Sequence, residues 1–299
     1  MNYRLDMEKS IKFIEENLDS ELTAAMIANH IGYSLYHYSR VFLACYGTPI
    51  MEYVRKRRLS LAAHAISQGK KVIDVALEFG FETPSGFSKA FRREYNCTPT
   101  SYQKKGIFEP LNVTRQDDDG GTQKWLGQVR IEHREAFKVG GYSVSTQISN
   151  VASTKDLAAF WEQADMEGWE IHLYEKLNPR RHGELGIYIP KEKDEALYVL
   201  GVVVDNFKNV DLDMVAIEIP TGDYAVFTTR PVNMKECEAD LALSIKNGWR
   251  AIFEDWFLRN REYQYDESRP DFEYYDERCH YRPDSVIEIW IPIKKTQGF

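Results

Sequence analysis

Residues 33–42 read YSLYHYSRVF and residues 81–91 read FETPSGFSKAF. The two stretches belong to a longer duplication in which small and aromatic residues recur at an offset of 48 and then, after one inserted residue, of 49. Aromatic residues at helical spacing pack beneath a helix, and a small residue allows two helices to cross closely. The shared positions therefore predict two copies of one helical core. The pairs are Ala28/Ala76, Gly32/Gly80, Tyr33/Phe81, Tyr38/Phe87, Ser39/Ser88, Phe42/Phe91, Tyr46/Tyr95 and Tyr53/Tyr102.

Each copy is typical of two short helices joined by a tight turn. In the first copy, Thr23 and Ser34 are N-cap residues and Gly32 permits the turn between the helices. In the second copy, Thr83 is the cap and Pro84 occupies the first helical position, where its missing N–H costs nothing. The sequence therefore predicts two helix-turn-helix motifs.

The residues predicted to point outward differ between the copies and indicate DNA contact. Tyr36, Ser39 and Arg40 share one face of the first recognition helix, where Arg40 can pair with a guanine edge in a major groove. The second copy is typical of a phosphate clamp, because basic residues supply affinity without sequence information. In that copy Ser85, Gly86 and Lys89 occupy the corresponding positions, followed by Arg92 and Arg93.

A basic run, Arg55-Lys56-Arg57-Arg58, lies between the copies at the start of a long helix. Such a run is usually a solvated helix face, but beside two recognition helices it also fits phosphate contact. We keep both interpretations for Arg55 and Arg57.

These residues resemble the DNA-binding domain of the AraC/XylS family. Residues 22–66, LTAAMIANHIGYSLYHYSRVFLACYGTPIMEYVRKRRLSLAAHAI, match its first half, and residues 72–104, VIDVALEFGFETPSGFSKAFRREYNCTPTSYQK, match its second half. The resemblance implies seven helices in which a long helix holds two recognition helices against adjacent major-groove faces, about 34 Å apart. It places base contacts at Tyr36, Ser39 and Arg40 in the first motif, and at Pro84, Ser85, Gly86 and Lys89 in the second.

Charge and composition predict two domains with different partners. Residues 1–106 carry 15 Lys and Arg against 11 Asp and Glu, whereas residues 123–299 carry 22 against 31. Residues 107–122, which include Asp117-Asp118-Asp119 and Gly120-Gly121, break every periodic pattern and are predicted to be a linker. The sequence has no apolar run of membrane-spanning length and no cysteine pattern for zinc, so we expect a cytoplasmic protein without membrane partner, metal or other cofactor.

The carboxy-terminal half, residues 123–299, reads as two repeats of strand, helix, strand, strand. The predicted strands lie in VRIEHREAFKVGGYSVS, GELGIYIP and EALYVLGVVV, then in MVAIEIPTGDYAVFTTR, DFEYYDER and SVIEIWIPI. One predicted helix covers residues 155–166 and the other covers about 235–259. The predicted fold class is therefore an all-helical domain followed by an α+β domain.

This half resembles the GyrI-like effector-binding domain, through AFKVGGY, AAFWEQ, GIYIP, IPTGDYAVFTT and EIWIPI in that order. Rob-like regulators join an AraC-type domain to such a domain in the order found here. The resemblance implies a pocket in which aromatic residues and a buried glutamate receive bulky, often cationic molecules.

Alternation along the last strand supports this pocket. Ile287, Ile289 and Ile291 share one strand face, whereas Glu288 and Trp290 share the other. A desolvated carboxylate among aromatic faces favours a cation. We expect Glu288 to be surrounded by Tyr142, Trp161, Tyr188, Tyr224 and Trp290.

The sequence therefore predicts a DNA-binding transcriptional regulator that responds to a small, aromatic or cationic effector. Its partners are promoter DNA, the effector and, if it activates transcription, RNA polymerase. Two alternatives stay open for the second domain: a small-molecule hydrolase, in which burial raises the pKa of Glu288 for acid–base work, and a protein-docking module.

Overall fold

A computed structural model of the chain describes residues 2–111, 122–150, 154–237, 239–279 and 282–296. The chain divides into two compact units, Arg4–Asp117 and Asp118–Phe299, with Met1–Tyr3 grouped with the second. Most of the predicted linker, residues 112–121, lies outside the described residues. Among the described residues, no helix combines the length and apolar character needed to cross a bilayer.

The described residues of the first unit form seven helices, as the family resemblance implies. Short connections join them, and the longest helix stands between the two predicted motifs. In chain order they are α1 (Tyr3–Glu16), α2 (Ala24–Ile31), α3 (Leu35–Tyr46), α4 (Ile50–Ser67), α5 (Val72–Glu78), α6 (Pro84–Tyr95) and α7 (Pro99–Lys105).

Capping explains where the motif helices begin and end. The Thr23 hydroxyl accepts a hydrogen bond from the Met26 amide at 3.2 Å, and the Thr83 hydroxyl accepts one from the Gly86 amide at 3.1 Å. Gly32 and Gly80 end α2 and α5 with φ of +80° and +75°, a conformation that L side chains rarely adopt. The predicted caps and turns are therefore confirmed, and each copy forms a helix-turn-helix.

The second unit contains nine strands and three main helices among its described residues. The helices are α8 (Thr154–Glu167), α9 (Trp169–Leu177) and α10 (Ala239–Ala251), and a π-helical stretch, Ile252–Trp256, continues α10. The strands are β1 (Leu126–Arg134), β2 (Phe137–Gln147), β3 (Glu184–Pro190), β4 (Glu195–Val204), β5 (Val215–Ile219), β6 (Gly222–Thr229), β7 (Tyr263–Tyr265), β8 (Phe272–Tyr275) and β9 (Glu288–Lys295). The two repeats are present, but each predicted leading strand is divided into two, β1 with β2 and β5 with β6, so the order in each repeat is strand, strand, helix, strand, strand. Helix α9 and strand β7 are further additions that the sequence did not predict.

The strands form one antiparallel sheet in the order β1-β6-β9-β8-β3-β4-β2-β5, with β7 paired to β9. The repeats meet where β3 pairs with β8, and each repeat lends its leading strand to the other: β1 pairs with β6, and β5 pairs with β2. Only two residues join β1 to β2, although these strands lie near opposite ends of the sheet. Two residues bridge about 10 Å at most, so the sheet curls until its ends approach each other.

Curling gives the sheet an inner, concave face and an outer face that carries the helices. Ile289 contacts the α10 side, where its Cδ1 lies 3.2 Å from the position that a Cβ on Gly248 would occupy. Trp290 joins Tyr224, Phe272 and Ile187 in a buried cluster on the inner face. The predicted alternation of β9 therefore holds in the structure.

Candidate functional site

The second recognition helix, α6, presents an exposed polar face. Pro84, Ser85, Gly86 and Lys89 are exposed, and only two of the twelve residues of the helix, Phe87 and Phe91, are buried. Arg92 and Arg93 extend the face, and Arg93 lies near two carboxylates, those of Glu52 and Glu94. Lys89 and Arg92 form no ion pair with the residues that the structure describes, so both are available for phosphate contact.

The first recognition helix, α3, is covered. Nine of its twelve residues are buried, and Tyr36, Ser39 and Arg40 are only 8%, 4% and 8% exposed. The prediction that these three side chains are exposed is therefore wrong for this structure. Helical periodicity identifies one face of α3 as core but carries no information on what covers the opposite face. The assignment of base contacts to these three residues stays a prediction.

The basic run on α4 is engaged within the helical unit. Arg55 pairs with Glu52, and its Nη2 donates to Glu94 Oε1 at 2.8 Å. Arg57 forms a two-pronged pair with Glu15, with N···O distances of 2.7 and 2.9 Å. These carboxylates stabilise the guanidinium charges, so the pKa of each arginine is raised by its hydrogen bonds to glutamate, against the opposing effect of burial. Arg55 and Arg57 hold α4 to its neighbours, which argues against their assignment as free phosphate contacts.

The second unit contains a cavity of about 690 Å³ on the inner face of the curled sheet. Its walls come from β1, β8, β9 and the segment before β3, together with the end of β4. A cavity of this size is in the range that binds small molecules. The lining residues include Arg130, Arg134, Arg181, Tyr274, Glu288 and Trp290.

Glu288 lies in this cavity but already has partners. Arg130 Nη1 and Nη2 donate to its two carboxylate oxygens at 3.0 Å each, and Arg278 Nη2 donates to Oε1 at 2.7 Å. Trp290 Nε1 donates to Oε2 at 3.0 Å. A carboxylate has about four acceptor positions, so these four hydrogen bonds saturate Glu288.

The pairing reverses the predicted protonation of Glu288. Burial acts to raise its pKa, but the hydrogen bonds and charges of Arg130 and Arg278 outweigh that effect and lower the pKa below its ordinary value. The expectation of a raised pKa is therefore wrong, and with it the acid–base role that supported the hydrolase alternative. The expectation of a carboxylate free to neutralise a cation is also wrong.

Trp290 lines the cavity but is only 3% exposed. Phe272 stacks on it with ring centroids 5.4 Å apart and planes at 14°, and the Arg134 guanidinium carbon lies 5.0 Å from its centroid. The same guanidinium lies 4.3 Å from the Phe137 centroid. Tyr224 is fully buried against Phe272 and Trp290 and supports this stack from behind.

The other three predicted effector residues lie on the helix side of the sheet. Tyr142 stacks on Trp169 of α9 at 4.4 Å, Trp161 of α8 contacts Tyr198 and Tyr275, and Tyr188 packs against Tyr198. Tyr188 and Ile187 are adjacent on β3, and it is Ile187 that joins the inner-face cluster. Their assignment to one cleft with Glu288 is therefore wrong. Strands β2 and β3 are buried on both faces, so their sequence does not distinguish the inner face from the outer one.

A separate group of side chains also has metal-ligand character. Ligand-type atoms of Glu170, His182 and Glu184 lie within 4.8 Å of one another, the one such group found among the described residues. Glu184 is buried and accepts a hydrogen bond from the Tyr174 hydroxyl. Its carboxylate therefore has a protein partner already.

Comparison with known proteins agrees with this architecture. A family profile described as integron-associated effector binding protein (Cass2) matches residues 130–293, and a helix-turn-helix domain profile matches residues 27–105. The chain belongs to the integron-associated effector-binding family. It is an AraC-type DNA-binding transcriptional regulator that carries a Cass2/GyrI-like effector-binding domain at its carboxy-terminal end.

Two curated relatives illustrate the match to this AraC-type regulator. The regulatory protein SoxS of Salmonella typhimurium is 31% identical over 106 residues, which cover 35% of this chain and 99% of SoxS. The transcriptional regulator YbfP of Bacillus subtilis is 32% identical over 165 residues, which cover 50% of this chain and 55% of YbfP. Among solved structures, SAV2435 bound to tetraphenylphosphonium is 20% identical with a TM-score of 0.44, covering 56% of this chain and 94% of that one.

Sequence reasoning missed the arginines of the effector-binding domain. Arg130, Glu132 and Arg134 alternate along β1 and therefore share one strand face, a pattern visible in the sequence. That face meets Glu288 only because β1 crosses to pair with β6 of the other repeat. The alternation on β1 can be seen in the sequence, but its pairing with β6 cannot.

Proposed function

We propose that the effector of this AraC-type regulator is a small molecule with an aromatic or similarly flat apolar frame, bound in the 690 Å³ cavity of the effector-binding domain. The observation that supports the proposal is a partly exposed aromatic wall, Tyr274, together with the apolar side chain of Val203, inside a cavity of ligand size. The sequence prediction offered an aromatic or a cationic effector. The cationic alternative depended on a free Glu288 carboxylate. Because the acceptor positions of Glu288 are filled, we propose the aromatic alternative.

Tyr274 is held in place as a wall of the cavity. Its hydroxyl donates to the His182 carbonyl at 3.0 Å, and its ring lies against Gly183, where a Cβ would meet the Tyr274 hydroxyl at 2.3 Å. Gly183 has φ of +147°, so both the space and the backbone conformation favour glycine there. A ring fixed at both ends provides a stacking surface without a large loss of side-chain entropy.

A cavity-filling variant tests this proposal. Val203 lines the cavity from β4, so the larger phenyl ring of Val203→Phe would occupy space that the ligand needs. We expect the full-length variant to lose binding of flat aromatic compounds by isothermal titration calorimetry while it keeps the wild-type circular dichroism spectrum. Leu212→Phe, at a fully exposed position, is the matched control and should bind as the wild type does.

Unchanged ligand binding in Val203→Phe would exclude this cavity as the effector site. Recovery of the bound compound with its mass unchanged is expected of a sensor, and a mass change would instead support the hydrolase alternative.

We further propose that the effector modulates binding to promoter DNA through the two helix-turn-helix motifs. The exposed face of α6, with Lys89, Arg92 and Arg93, supplies phosphate contacts. Tyr36, Ser39 and Arg40 supply base contacts once they become accessible. An effector shifts transcription only if it binds two states of the regulator with different affinity, so DNA affinity measured with and without ligand tests the coupling.

A further inference from the structure

The charges of the cavity are balanced overall, since five carboxylates meet Arg130, Arg134, Arg180 and Arg181 together with Arg278, but they are not balanced locally. Four of its five carboxylates are already paired with arginines: Glu132 with Arg130, Asp205 with Arg180, Asp276 with Arg278, and Glu288 with Arg130 and Arg278. The fifth carboxylate, Glu277, is exposed to solvent.

Arg134 is the unusual member of this cavity. It is half-buried, and its guanidinium forms no ion pair or hydrogen bond with any residue that the structure describes. Its contacts are the faces of Trp290 and Phe137, which leave the N–H groups at the edge of the guanidinium without acceptors among the described residues. A desolvated guanidinium that lacks an acceptor is costly, and an anion in the cavity would remove that cost.

A second arginine faces the same space. Arg181 lines the cavity, is exposed and has no carboxylate partner among the described residues. Burial is the main cause that lowers the pKa of Arg134; Tyr274, Tyr224 and Glu132 act to raise it, and the charge of Arg181 acts to lower it. An anionic group in the cavity that reached both guanidinium groups would supply acceptors to both.

We propose that the effector of this protein is an aromatic carboxylate whose charged group is bound by Arg134 and Arg181. This inference rests on the proposed function, because it assigns ligand chemistry to the same cavity. The aromatic frame lies against Tyr274, and the carboxylate takes the N–H donors that Trp290 and Phe137 leave unused. A cationic ligand would instead have to displace Arg130 or Arg278 from Glu288, whose acceptor positions are filled.

The test uses three probes that share one ring system and differ in charge: 2-naphthoate, 2-naphthamide and 2-naphthylmethylammonium. Calorimetry with the full-length protein at neutral pH should rank the carboxylate first. Hydrogen bonds to a charged group are stronger than neutral ones by about a factor of two, which predicts a preference over the amide of about tenfold.

Variants of Arg134 then test whether this arginine causes the preference for the carboxylate. Arg134→Gln should bring carboxylate and amide to equal affinity, while Arg134→Lys should keep part of the preference because it keeps the charge but loses the planar donor set. Arg259→Gln is the matched control, since Arg259 is an exposed arginine of the same domain that pairs with Asp255 at 2.7 Å and does not line the cavity. Amide binding by Arg134→Gln at wild-type strength shows that the variant cavity is folded.

The outcomes separate this inference from the proposed function. If the amide or the ammonium binds at least as tightly as the carboxylate, and Val203→Phe abolishes that binding, the cavity is the effector site but the anion inference is overturned. If Arg134→Gln keeps the carboxylate preference, the inference is overturned as well. If none of the three probes binds, the proposed function and the inference both fall.

Discussion

The two helix-turn-helix motifs have nearly the same core geometry. The Phe42 and Tyr46 rings are stacked with centroids 4.7 Å apart and planes at 22°, and the Phe91 and Tyr95 rings are stacked at 4.5 Å and 25°. A second ring pair in each motif also matches. The Phe42 and Tyr53 centroids are 5.5 Å apart with planes at 82°, and the Phe91 and Tyr102 centroids are 5.3 Å apart with planes at 79°. Conserving the spacing of these three aromatic residues therefore conserves the packing of the motif core.

The outer faces of the same two motifs differ sharply. Helix α3 has nine buried residues of twelve, whereas α6 has two. Arg40 is 8% exposed, while Lys89, 49 positions later, is exposed. Equal cores with unequal surroundings show that duplication specifies how a motif folds but not how accessible its recognition helix is. Four predictions test how far the likeness of the two motifs extends.

The largest effect should come from the shared aromatic cores. Phe42 and Phe91 are both fully buried, and Phe→Ala at such a site lowers the free energy of unfolding by about 3–5 kcal/mol. Because the ring geometries match, Phe42→Ala and Phe91→Ala should cost the same to within about 1 kcal/mol, measured by urea unfolding followed at 222 nm. A difference of several kcal/mol would show that the two cores are not energetically equivalent.

The next effect is a pH dependence of the free energy of unfolding that comes from the first motif and has no counterpart in the second. Burial lowers the pKa of His37 from 6.5 to about 3, and its counterpart in the second motif is the exposed Gly86. The unfolded chain gains a proton on this histidine below pH 6.5, but the folded chain does not until about pH 3. The stability is therefore fully present above pH 6.5 and declines as the pH falls, by about 1.4 kcal/mol per pH unit well below 6.5.

His37→Leu should remove that share of the pH dependence. The measurement is the free energy of unfolding at several values between pH 4 and 7 for the wild type and the variant. An unchanged slope would mean that His37 is accessible to protons in the folded protein.

A smaller effect should come from the turns. Gly32→Ala and Gly80→Ala each force an L side chain to a φ near +80°, which costs about 1–2 kcal/mol. A Cβ on Gly80 would also lie 3.1 Å from Arg58 Nη1, whereas nothing lies within 4 Å of one on Gly32. Thermal unfolding should therefore rank Gly80→Ala as the more destabilised, and the reverse order would contradict this account of the second turn.

The smallest effect concerns DNA. Lys89→Ala or Arg92→Ala, on the exposed face of α6, should weaken DNA binding without changing stability. Each should lower the dependence of log affinity on log salt concentration by about one, as loss of one phosphate contact does. Fluorescence anisotropy over a salt series measures this, with Lys9→Ala on α1 as the control because Lys9 pairs with Asp6. A slope that stays constant for both variants would remove α6 from the phosphate interface.

Local patterns predicted much of this fold and less of its sites. The caps at Thr23, Ser34 and Thr83 depend on residues within one turn of the helix, so the sequence contains all of the required information. The face of β9 was predicted because isoleucine alternates with polar or bulkier residues there. The faces of β2 and β3 could not be predicted, because both sides of these strands are buried.

The sequence by itself determined the duplicated helical core, the repeated strand order and the family to which the chain belongs, since each is encoded in short-range spacing. Only the tertiary structure decided the charge state of the cavity on the inner face of the sheet. Glu288 is separated from Arg130 by 158 positions, and they meet because β1 crosses to the other repeat. Electrostatic interactions depend on distance in space, so two groups far apart in the chain can reverse the pKa shift that burial alone would produce.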